Sequence, residues 1–264
     1  MGNPAEERGP LSIAWLGHST VVIDLDGIRL ITDPLLGQHA GLLRRRGPGP
    51  DPRLWAGPDA ALVSHLHHDH LELRSLRKLP GVPVLTAPVN ARWLRQRGIE
   101  TAIPMPEGWA AVGGGVDVRL TRADHRHRPM PHRPNAANGH LIRGAGATVW
   151  VAGDTSLFHE MRTLGEPLAR PLDVAVVPIA GWGPRLSEGH MDGEQAAVAC
   201  ARVGARYALA VHWGTLHPPV FNRFAGDWMD RPHDEFATAL AKEAPDCELI
   251  DLRPGDVWRT PRAA

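Results

Sequence analysis

The feature that most constrains this chain is the run at residues 65–70, which reads His-Leu-His-His-Asp-His. It directly follows an apolar stretch, and this order predicts a buried strand that ends in a metal-binding loop. His65 and His67 point the same way from an extended backbone, whereas Asp69 and His70 lie where the chain can turn them towards a neighbouring point. One loop could therefore supply ligands to two metal ions, and imidazole with carboxylate suits zinc, manganese or iron. A solvated histidine-rich loop is the alternative, since the chain holds 15 histidines.

Length and charge limit the classes of protein that remain. A chain of 264 residues can form one large α/β or all-β domain, or two small ones. Its formal net charge of zero gives no strong field for nucleic acid or an anionic membrane, and the oligomeric state stays open. No apolar run approaches the roughly 18 residues of a membrane span, and no signal peptide is visible. Cys200 and Cys247 form no disulfide framework, which fits a reducing compartment, so we expect a cytoplasmic protein.

Hydrophobic patterning predicts mixed strands and helices. Residues 1–10 are predicted to be a disordered tail, and residues 11–264 one domain with sheets at its centre. Strands are predicted at residues 11–16, 20–25, 28–32, 82–86, twice within 108–122, and at 138–143, 147–152, 173–178, 206–211 and 247–251. Helices are predicted at residues 88–97, 192–203 and near 234–243, and a long Pro/Gly-rich loop at 44–58. Asp192 can cap the second helix, Gln195 completes a capping-box-like pair, and Gly204 ends it.

Further candidate ligands each follow a predicted strand. Asp154 could bridge two cations with its two carboxylate oxygens, although capping the next helix would be its ordinary role. His212 also stands at the end of a strand, where a lone histidine is more often structural. Two histidines follow the strand that ends near residue 120; His125 is nearer that strand and is the preferred ligand, with His127 as the second choice.

The order of these motifs resembles the metallo-β-lactamase superfamily. The matching segments are residues 65–70, His125, Gly153-Asp154-Thr155 and His212-Trp213-Gly214-Thr215, with residues 15–20, Thr32-Asp33-Pro34, Pro178-Ile179 and His190-Met191-Asp192. Within the superfamily, the chain is similar to the branch of ascorbate-6-phosphate lactonase and N-acyl-phosphatidylethanolamine phospholipase D. The resemblance runs from about residue 11 to 224. It implies an α/β fold of the α+β type, a four-layer αββα sandwich of two sheets with helices on both outer faces.

The resemblance also implies a role for each candidate side chain. It places His65, His67 and His125 on one divalent metal ion, and Asp69, His70 and His212 on a second. Asp154 would bridge the two ions, which are expected to be zinc, with manganese as the alternative. Asp33 would hold the histidine loop in place, and His190 would lie near the substrate. His18 could support a ligand or line the pocket, and the sequence does not decide between these roles.

The predicted chemistry follows from the pair of ions. Two divalent ions can share a water molecule and lower its pKa, and the resulting hydroxide would attack a carbonyl carbon or a phosphorus. Asp69 could orient this hydroxide, and His190 could donate a hydrogen bond or a proton to the substrate. We therefore predict a metal-dependent hydrolase of a phosphodiester, lactone or ester. Its small-molecule substrate would be anionic if Arg44–Arg46, or Arg126 with Arg128, hold it. The alternatives are an iron-dependent oxidoreductase of the same superfamily and a non-catalytic metal-binding protein.

Overall fold

Seventeen strands and five α-helices make up the described part of the chain. The computed structural model describes residues 11–125, 133, 136–168, 170–219 and 227–261. The strands are β1 (Leu11–Gly17), β2 (Thr20–Leu25), β3 (Ile28–Thr32), β4 (His39–Ala40), β5 (Leu43–Arg45), β6 (Ala60–Leu62), β7 (Val84–Thr86), β8 (Ala102–Pro104), β9 (Trp109–Gly113), β10 (Val116–Arg122), β11 (Asn138–Arg143), β12 (Thr148–Val151), β13 (Val174–Pro178), β14 (Tyr207–Val211), β15 (Leu216–His217), β16 (Glu248–Ile250) and β17 (Val257–Arg259). The helices are α1 (Pro52–Trp55), α2 (Leu73–Leu76), α3 (Pro88–Arg95), α4 (Gly193–Val203) and α5 (Arg231–Glu243), with 3-10 turns at His159–Thr163 and Asp227–Met229.

Two seven-stranded sheets form the centre of the fold. The first has the order β17-β1-β2-β3-β6-β7-β8, and the second has the order β16-β14-β13-β12-β11-β10-β9. Each sheet begins with antiparallel hairpins and continues with parallel strands, β3 to β8 in the first and β12 to β16 in the second. Asp26 and Gly27, with φ of 49° and 85°, form the tight turn between β2 and β3. Positive φ at both central residues is typical of the type I′ turn, whose twist fits a hairpin.

The alternation of side chains along β1 shows how the layers are stacked. Ile13 and Trp15 belong to the apolar core between the two sheets, together with Val149 of the second sheet. Leu16 points to the other side of the first sheet, where it packs in a second core with Leu94 of α3. Helix α4 packs on β13, on the outer face of the second sheet, and α5 packs on α4. The layers are helix, sheet, sheet and helix, which confirms the predicted αββα sandwich.

Most of the local predictions agree with the structure. Both halves of the capping box on α4 are present between Asp192 and Gln195, and Gly204 ends this helix with a φ of 63°. Cys200 and Cys247 are buried, free thiols. Among the described residues, no helix is both long enough and apolar enough to cross a membrane. The predicted tail at residues 1–10 lies outside the described residues.

The structure corrects the predicted loop at residues 44–58. This segment contains most of β5 and the whole of α1, and β5 pairs with β4 and β15 in a third sheet. The strand escaped prediction because its arginines show no apolar alternation and its partner β15 lies far along the chain. The last helix begins at Arg231 instead of residue 234. Pro232 is tolerated there, because the first turn of a helix needs no intrahelical hydrogen bond from its N–H groups.

Candidate metal centre

The candidate ligands come from loops that leave several strands at one edge of the sandwich. The histidine loop at residues 65–70 follows β6 of the first sheet. Asp154, His212 and His125 follow β12, β14 and β10 of the second sheet. Because β12 to β14 run parallel, the loops at their carboxyl ends emerge at the same edge, which is where parallel sheets ordinarily bind ligands. Loops from both sheets therefore meet at this edge.

The first group of ligand atoms surrounds His67. Its Nδ1 lies 3.0 Å from Nε2 of His65 and 3.0 Å from Nε2 of His125. Asp154 Oδ2 lies 3.7 Å from His65 Nε2. One atom from each of these four residues can be chosen so that all lie within 4.8 Å of one another. The structure therefore brings together the three histidines expected on one metal ion, with Asp154 beside them.

The second group lies on the other side of Asp154. His70 Nε2 and His212 Nε2 are 3.0 Å apart, and Asp69 Oδ2 lies 3.4 Å from His212 Nε2. Asp154 Oδ1 lies 3.2 Å from His212 Nε2, while its Oδ2 lies 3.1 Å from His70 Nε2. Asp154 Oδ2 thus lies close to histidines of both groups, and Oδ1 lies close to His212 of the second group, so one carboxylate contacts both.

Hydrogen bonds behind the rings turn the imidazole nitrogens inward. His125 Nδ1 donates to the carbonyl of Gly189 at 2.8 Å, and His212 Nδ1 donates to the carbonyl of Ala180 at 2.7 Å. A carbonyl oxygen only accepts, so the proton of a neutral ring lies on Nδ1 and the lone pair of Nε2 points into the centre. These contacts fix the tautomer in the way that protein partners of metal-bound histidines do.

Asp33 orients two further histidines. It accepts a hydrogen bond from His70 Nδ1 at 2.8 Å and one from Ser64 Oγ at 2.6 Å. Ser64 Oγ, having given its proton to the carboxylate, accepts from His65 Nδ1 at 2.9 Å. One buried carboxylate therefore holds both rings, as was expected of Asp33. The part played by Ser64 was not predicted, although its position directly before His65 in the sequence was the available signal.

The buried carboxylates of this site favour a positive charge among them. This preference indicates whether a metal ion would fit there. Burial alone would lower the pKa of His70, but the carboxylates of Asp154 and Asp33 raise it well above the ordinary histidine value. Asp154 Oδ1 is buried without a hydrogen-bond partner. One proton on His70 cannot satisfy His212 and both oxygens of Asp154 together, whereas a divalent cation among them can. The donor set of imidazoles and carboxylates fits zinc or manganese.

Backbone strain is concentrated at the same place. Only four non-glycine residues in the described ranges have positive φ, and three of them are His18 at 52°, Asp33 at 36° and His212 at 65°. Each such conformation costs on the order of 1–3 kcal/mol for a residue with a side chain. The surrounding structure must hold these residues in place, and strain of this kind is typical of functional sites.

His18 lies behind the ligands and does not line the cavity. It is 1% exposed, and the centroid of its ring lies 3.9 Å from that of the His212 ring, with the two rings tilted by 38°. Burial and the nearby His212 lower the pKa of His18 to about 3 in spite of Asp69, so the ring is neutral at ordinary pH. Its Nε2–H donates to Asp69 Oδ2 at 3.2 Å. His18 therefore contacts a candidate ligand, and one of its ring nitrogens also belongs to a group of atoms, with Asp69, His70 and His212, that could hold a metal ion.

His190 approaches the centre from the cavity side. Its Nε2 lies 3.1 Å from Asp154 Oδ2, and its Nδ1 contacts the carbonyl of Ser187 at 3.1 Å. Burial lowers the pKa of His190, but the charge of Asp154 outweighs this effect and raises the pKa to about 8. Metal ions bound to Asp154 would oppose this rise in the pKa of His190. Its proximity to Asp154 and His212 also makes it a possible fourth ligand.

A cavity of about 720 Å³ opens over the candidate metal centre. It is lined by Ala40, Leu42, Leu43, His67, His68, Asp69, His125, Gly181, Trp182, Gly183, Arg185, Ser187, Glu188 and His190. The arginines of 44–46 are not among the residues that line this cavity. Arg45 is buried against backbone carbonyls, and Arg46 pairs with Asp230. Arg126, His127 and Arg128 lie outside the described residues, so the choice between His125 and His127 stays a prediction.

Fold and site together define a metal-dependent hydrolase of the metallo-β-lactamase superfamily. Sequence comparison agrees with this class over most of the chain. The chain belongs to the family described as the beta-lactamase superfamily domain, which matches residues 28–213.

Individual relatives match this chain over most of its length. The chain is 31% identical to a UPF0173 metal-dependent hydrolase of Methanospirillum hungatei, over 93% of this chain and 97% of the relative. It is 25% identical to N-acyl-phosphatidylethanolamine-hydrolyzing phospholipase D 1 of Caenorhabditis elegans, over 94% of this chain and 75% of that enzyme. The structure of Igni18, a metallo hydrolase of Ignicoccus hospitalis, aligns with a TM-score of 0.69 at 22% identity, over 94% of this chain and 97% of that one.

Proposed function

We propose that this protein uses two divalent metal ions, zinc or alternatively manganese, to hydrolyse an ester, a lactone or a phosphodiester in a small molecule. The position of Asp154 carries the proposal, because its carboxylate lies close to histidines of both groups of candidate ligands. His65, His67 and His125 would hold one ion, and Asp69, His70 and His212 the other. Two relatives that are called metal-dependent hydrolases support this proposal, since the match covers 99% and 93% of their own length.

The residues of the chain would supply positioning and proton transfer. When bound, the two ions would provide Lewis-acid activation of a water molecule and of the group under attack. Asp33 and Ser64 fix the rings of the ligands in advance, so little reorganisation is needed during the reaction. Asp69 Oδ2, held by His18, would orient the attacking water by accepting a hydrogen bond from it. His190 would donate the proton on its Nε2 to the oxygen of the leaving group.

A nucleophilic serine is the competing mechanism. Ser187 Oγ lies 3.0 Å from His190 Nδ1, and the same ring contacts Asp154 through Nε2. Hydroxyl, imidazole and carboxylate therefore stand in a row, as they do in serine hydrolases. Asp154 also lies close to three other imidazoles, those of His65, His70 and His212. This sharing favours the metal-dependent mechanism, because the carboxylate of a serine triad orients a single ring.

The test combines metal analysis with three matched variants. Asp154→Asn keeps the size of the side chain but removes its charge, and we expect loss of at least one metal ion and a fall in rate of about a hundredfold, the upper range of losses for disturbed metal sites. Asp117→Asn, which removes a carboxylate paired with Arg143 on the second sheet, should keep both. Ser187→Ala should retain the metal ions and most of the activity. Rates would be measured on a p-nitrophenyl ester, a lactone and bis(p-nitrophenyl) phosphate.

Two outcomes would contradict the proposal. The first is full activity in protein from which a chelator has removed all metal. The second is abolished activity in Ser187→Ala together with normal activity and metal content in Asp154→Asn. Stoichiometric iron with oxygen consumption would instead favour the oxidoreductase alternative.

A further inference from the structure

Exposed apolar side chains gather at the mouth of the cavity over the metal centre. Five large hydrophobic side chains are exposed in the part of the chain that the structure describes. Two of them, Leu42 at 91% exposure and Trp182 at 46%, line this cavity. A third, Leu186, stands between Arg185 and Ser187, which also line it. Apolar side chains gathered around a concave site mark a binding surface, because leaving them in water is unfavourable.

Leu42 is held over the centre by a short hairpin. Ala40 pairs with Leu43 in the antiparallel strands β4 and β5, so Gly41 and Leu42 form a two-residue turn. Gly41 has a φ of 60°, and glycine with positive φ at the first central position is typical of a type II′ turn. A Cβ at Gly41 would lie 3.2 Å from the Cβ of His68. The hairpin therefore packs on the histidine loop and places Leu42 beside it.

The charges in the cavity wall do not favour a highly charged substrate. Outside the histidines and Asp69, the charged lining residues are Arg185 and Glu188, whose charges have opposite sign. The neighbouring apolar wall consists of Leu42, Leu43 and Trp182. Beyond the metal ions and the histidines, a phosphate group with several negative charges would meet one cation among the described lining residues, Arg185. An uncharged molecule with an apolar arm would find a wall of matching character.

We infer that the substrate is an uncharged carboxylic ester or lactone with an alkyl or aryl arm, and that Leu42, Leu43 and Trp182 bind this arm. The inference rests on the proposed function and selects among its substrate classes. In the reaction, the oxygen of water bonds to the carbonyl carbon and the ester C–O bond breaks. One proton of the water passes to the alcohol oxygen and the other to the new acid group. The apolar arm lies in the same cavity as His67, Asp69 and His190, so it would hold the carbonyl next to the centre.

The test is a chain-length series on the metal-loaded protein. p-Nitrophenyl esters with acyl chains of increasing length, used below their critical micelle concentrations, should show kcat/KM rising about threefold to fourfold per methylene, the value of a buried CH₂, until the wall is covered. Bis(p-nitrophenyl) phosphate should be a poor substrate. Leu42→Ser and Trp182→Ala should flatten the series while both metal ions stay bound. Ile103→Ser, a change at an exposed side chain of β8 outside the cavity lining, should keep the wild-type series.

The possible failures can be told apart. If the metal-loaded protein hydrolyses none of the substrates, the proposed function fails. If hydrolysis depends on metal but kcat/KM does not depend on chain length, or Leu42→Ser leaves the series unchanged, only the apolar-arm inference fails. Loss of sedimentation with phosphatidylcholine vesicles in Leu42→Ser, without a change in the series, would show that the patch binds a lipid surface and would overturn the inference. A dimer that this substitution dissociates would overturn it in favour of a second copy of the chain.

Discussion

His18 links two candidate ligands that lie far apart in the sequence. Its side chain donates to Asp69, and its backbone carbonyl accepts a hydrogen bond from the backbone N–H of His212 at 3.1 Å. Its own N–H donates to Thr215 Oγ1 at 2.8 Å. Both ligands belong to the group expected on the second metal ion. His18, whose backbone is strained, therefore fixes the distance between two candidate ligands of the second metal ion.

Substitution of His18 should weaken the binding of the second metal ion only. His18→Phe keeps an aromatic ring that can pack on His212 but removes the N–H that orients Asp69, and we expect metal affinity at that site to fall about tenfold to a hundredfold. His18→Gln keeps a donor near the same position and should lose less. Titration of metal-free protein with zinc in competition with a chromophoric chelator would measure both sites. Equal affinities in His18→Phe and the wild type would show that Asp69 needs no such support.

His140 should make the fold sensitive to acid. It is buried on β11 and its Nε2 has no hydrogen-bond partner. Burial lowers its pKa to about 4 although Asp33 acts in the other direction. The unfolded chain therefore binds the proton first as the pH falls below about 6.5, and stability is lost at about 1.4 kcal/mol per pH unit until the folded pKa is reached. At neutral pH the effect is absent.

A variant isolates this contribution. Between pH 7 and pH 5, the wild type should lose about 2 kcal/mol more of its free energy of unfolding than His140→Leu, from the linkage slope over the interval below the ordinary histidine pKa. Urea unfolding at the two pH values gives this difference directly. Changes in the metal ligands are common to both proteins and cancel. An identical pH dependence in both would mean that His140 is not the titrating group.

At the scale of elements, β5 ties the site to the rest of the first sheet. The guanidinium of Arg45 donates to the carbonyls of Leu16 and Leu35, each at 2.8 Å, and to that of Gly37 at 3.3 Å. Burial lowers the pKa of Arg45 to about 10, so the group stays charged at neutral pH. These carbonyls flank His18 and Asp33 in the sequence, and Arg45 therefore braces the segments that carry both.

Removal of this brace should destabilise the fold. Lysine carries the charge but cannot reproduce the fork of donors, and each buried carbonyl left without a partner costs about 1–3 kcal/mol. We expect Arg45→Lys to lower the free energy of unfolding by about 2–4 kcal/mol on that basis. Arg44→Lys, at the exposed neighbouring position, should change it by less than about 0.5 kcal/mol. Chemical unfolding of both variants would decide, and equal stabilities would contradict the brace.

Patterns among residues close together in the sequence predicted more of the structure than pairings between distant segments did. The capping box of α4 was predicted correctly because its partners, Asp192 and Gln195, are three residues apart in the sequence. The third sheet was missed because β5 pairs with β15, about 170 residues later. The histidine loop itself suggested a metal site, but spacing could not show that His125, Asp154 and His212 would meet it. That grouping came from the resemblance to a family, and the structure brings the side chains together.

For the whole molecule, the ligands form a connection between the two sheets. His65, His67, Asp69 and His70 follow a strand of the first sheet, and His125, Asp154 and His212 follow strands of the second. Metal ions shared by these groups would stabilise the folded state by binding it in preference to the unfolded chain. They would also hold the two sheets together at this edge.

Removal of metal should therefore loosen one edge of the sandwich. We expect a chelator to lower Tm and to increase amide hydrogen exchange in the loops after β6, β12 and β14. The hairpin turn between β2 and β3 follows the other ends of its strands, and its exchange should stay unchanged, which makes it the internal control. Mass spectrometry of exchanged peptides resolves these regions. A uniform increase over the whole chain would show global destabilisation instead of a local connection.

The left-handed backbone at His18, Asp33 and His212 sets stability against activity in the evolution of this protein. Glycine adopts such a conformation more readily than histidine or aspartate does. Selection for heat resistance alone would therefore favour glycine at these three positions, and each replacement would discard a ligand or its support. In a library screened only for folding, these positions should be among the first to change, and the resulting proteins would be more robust but inactive.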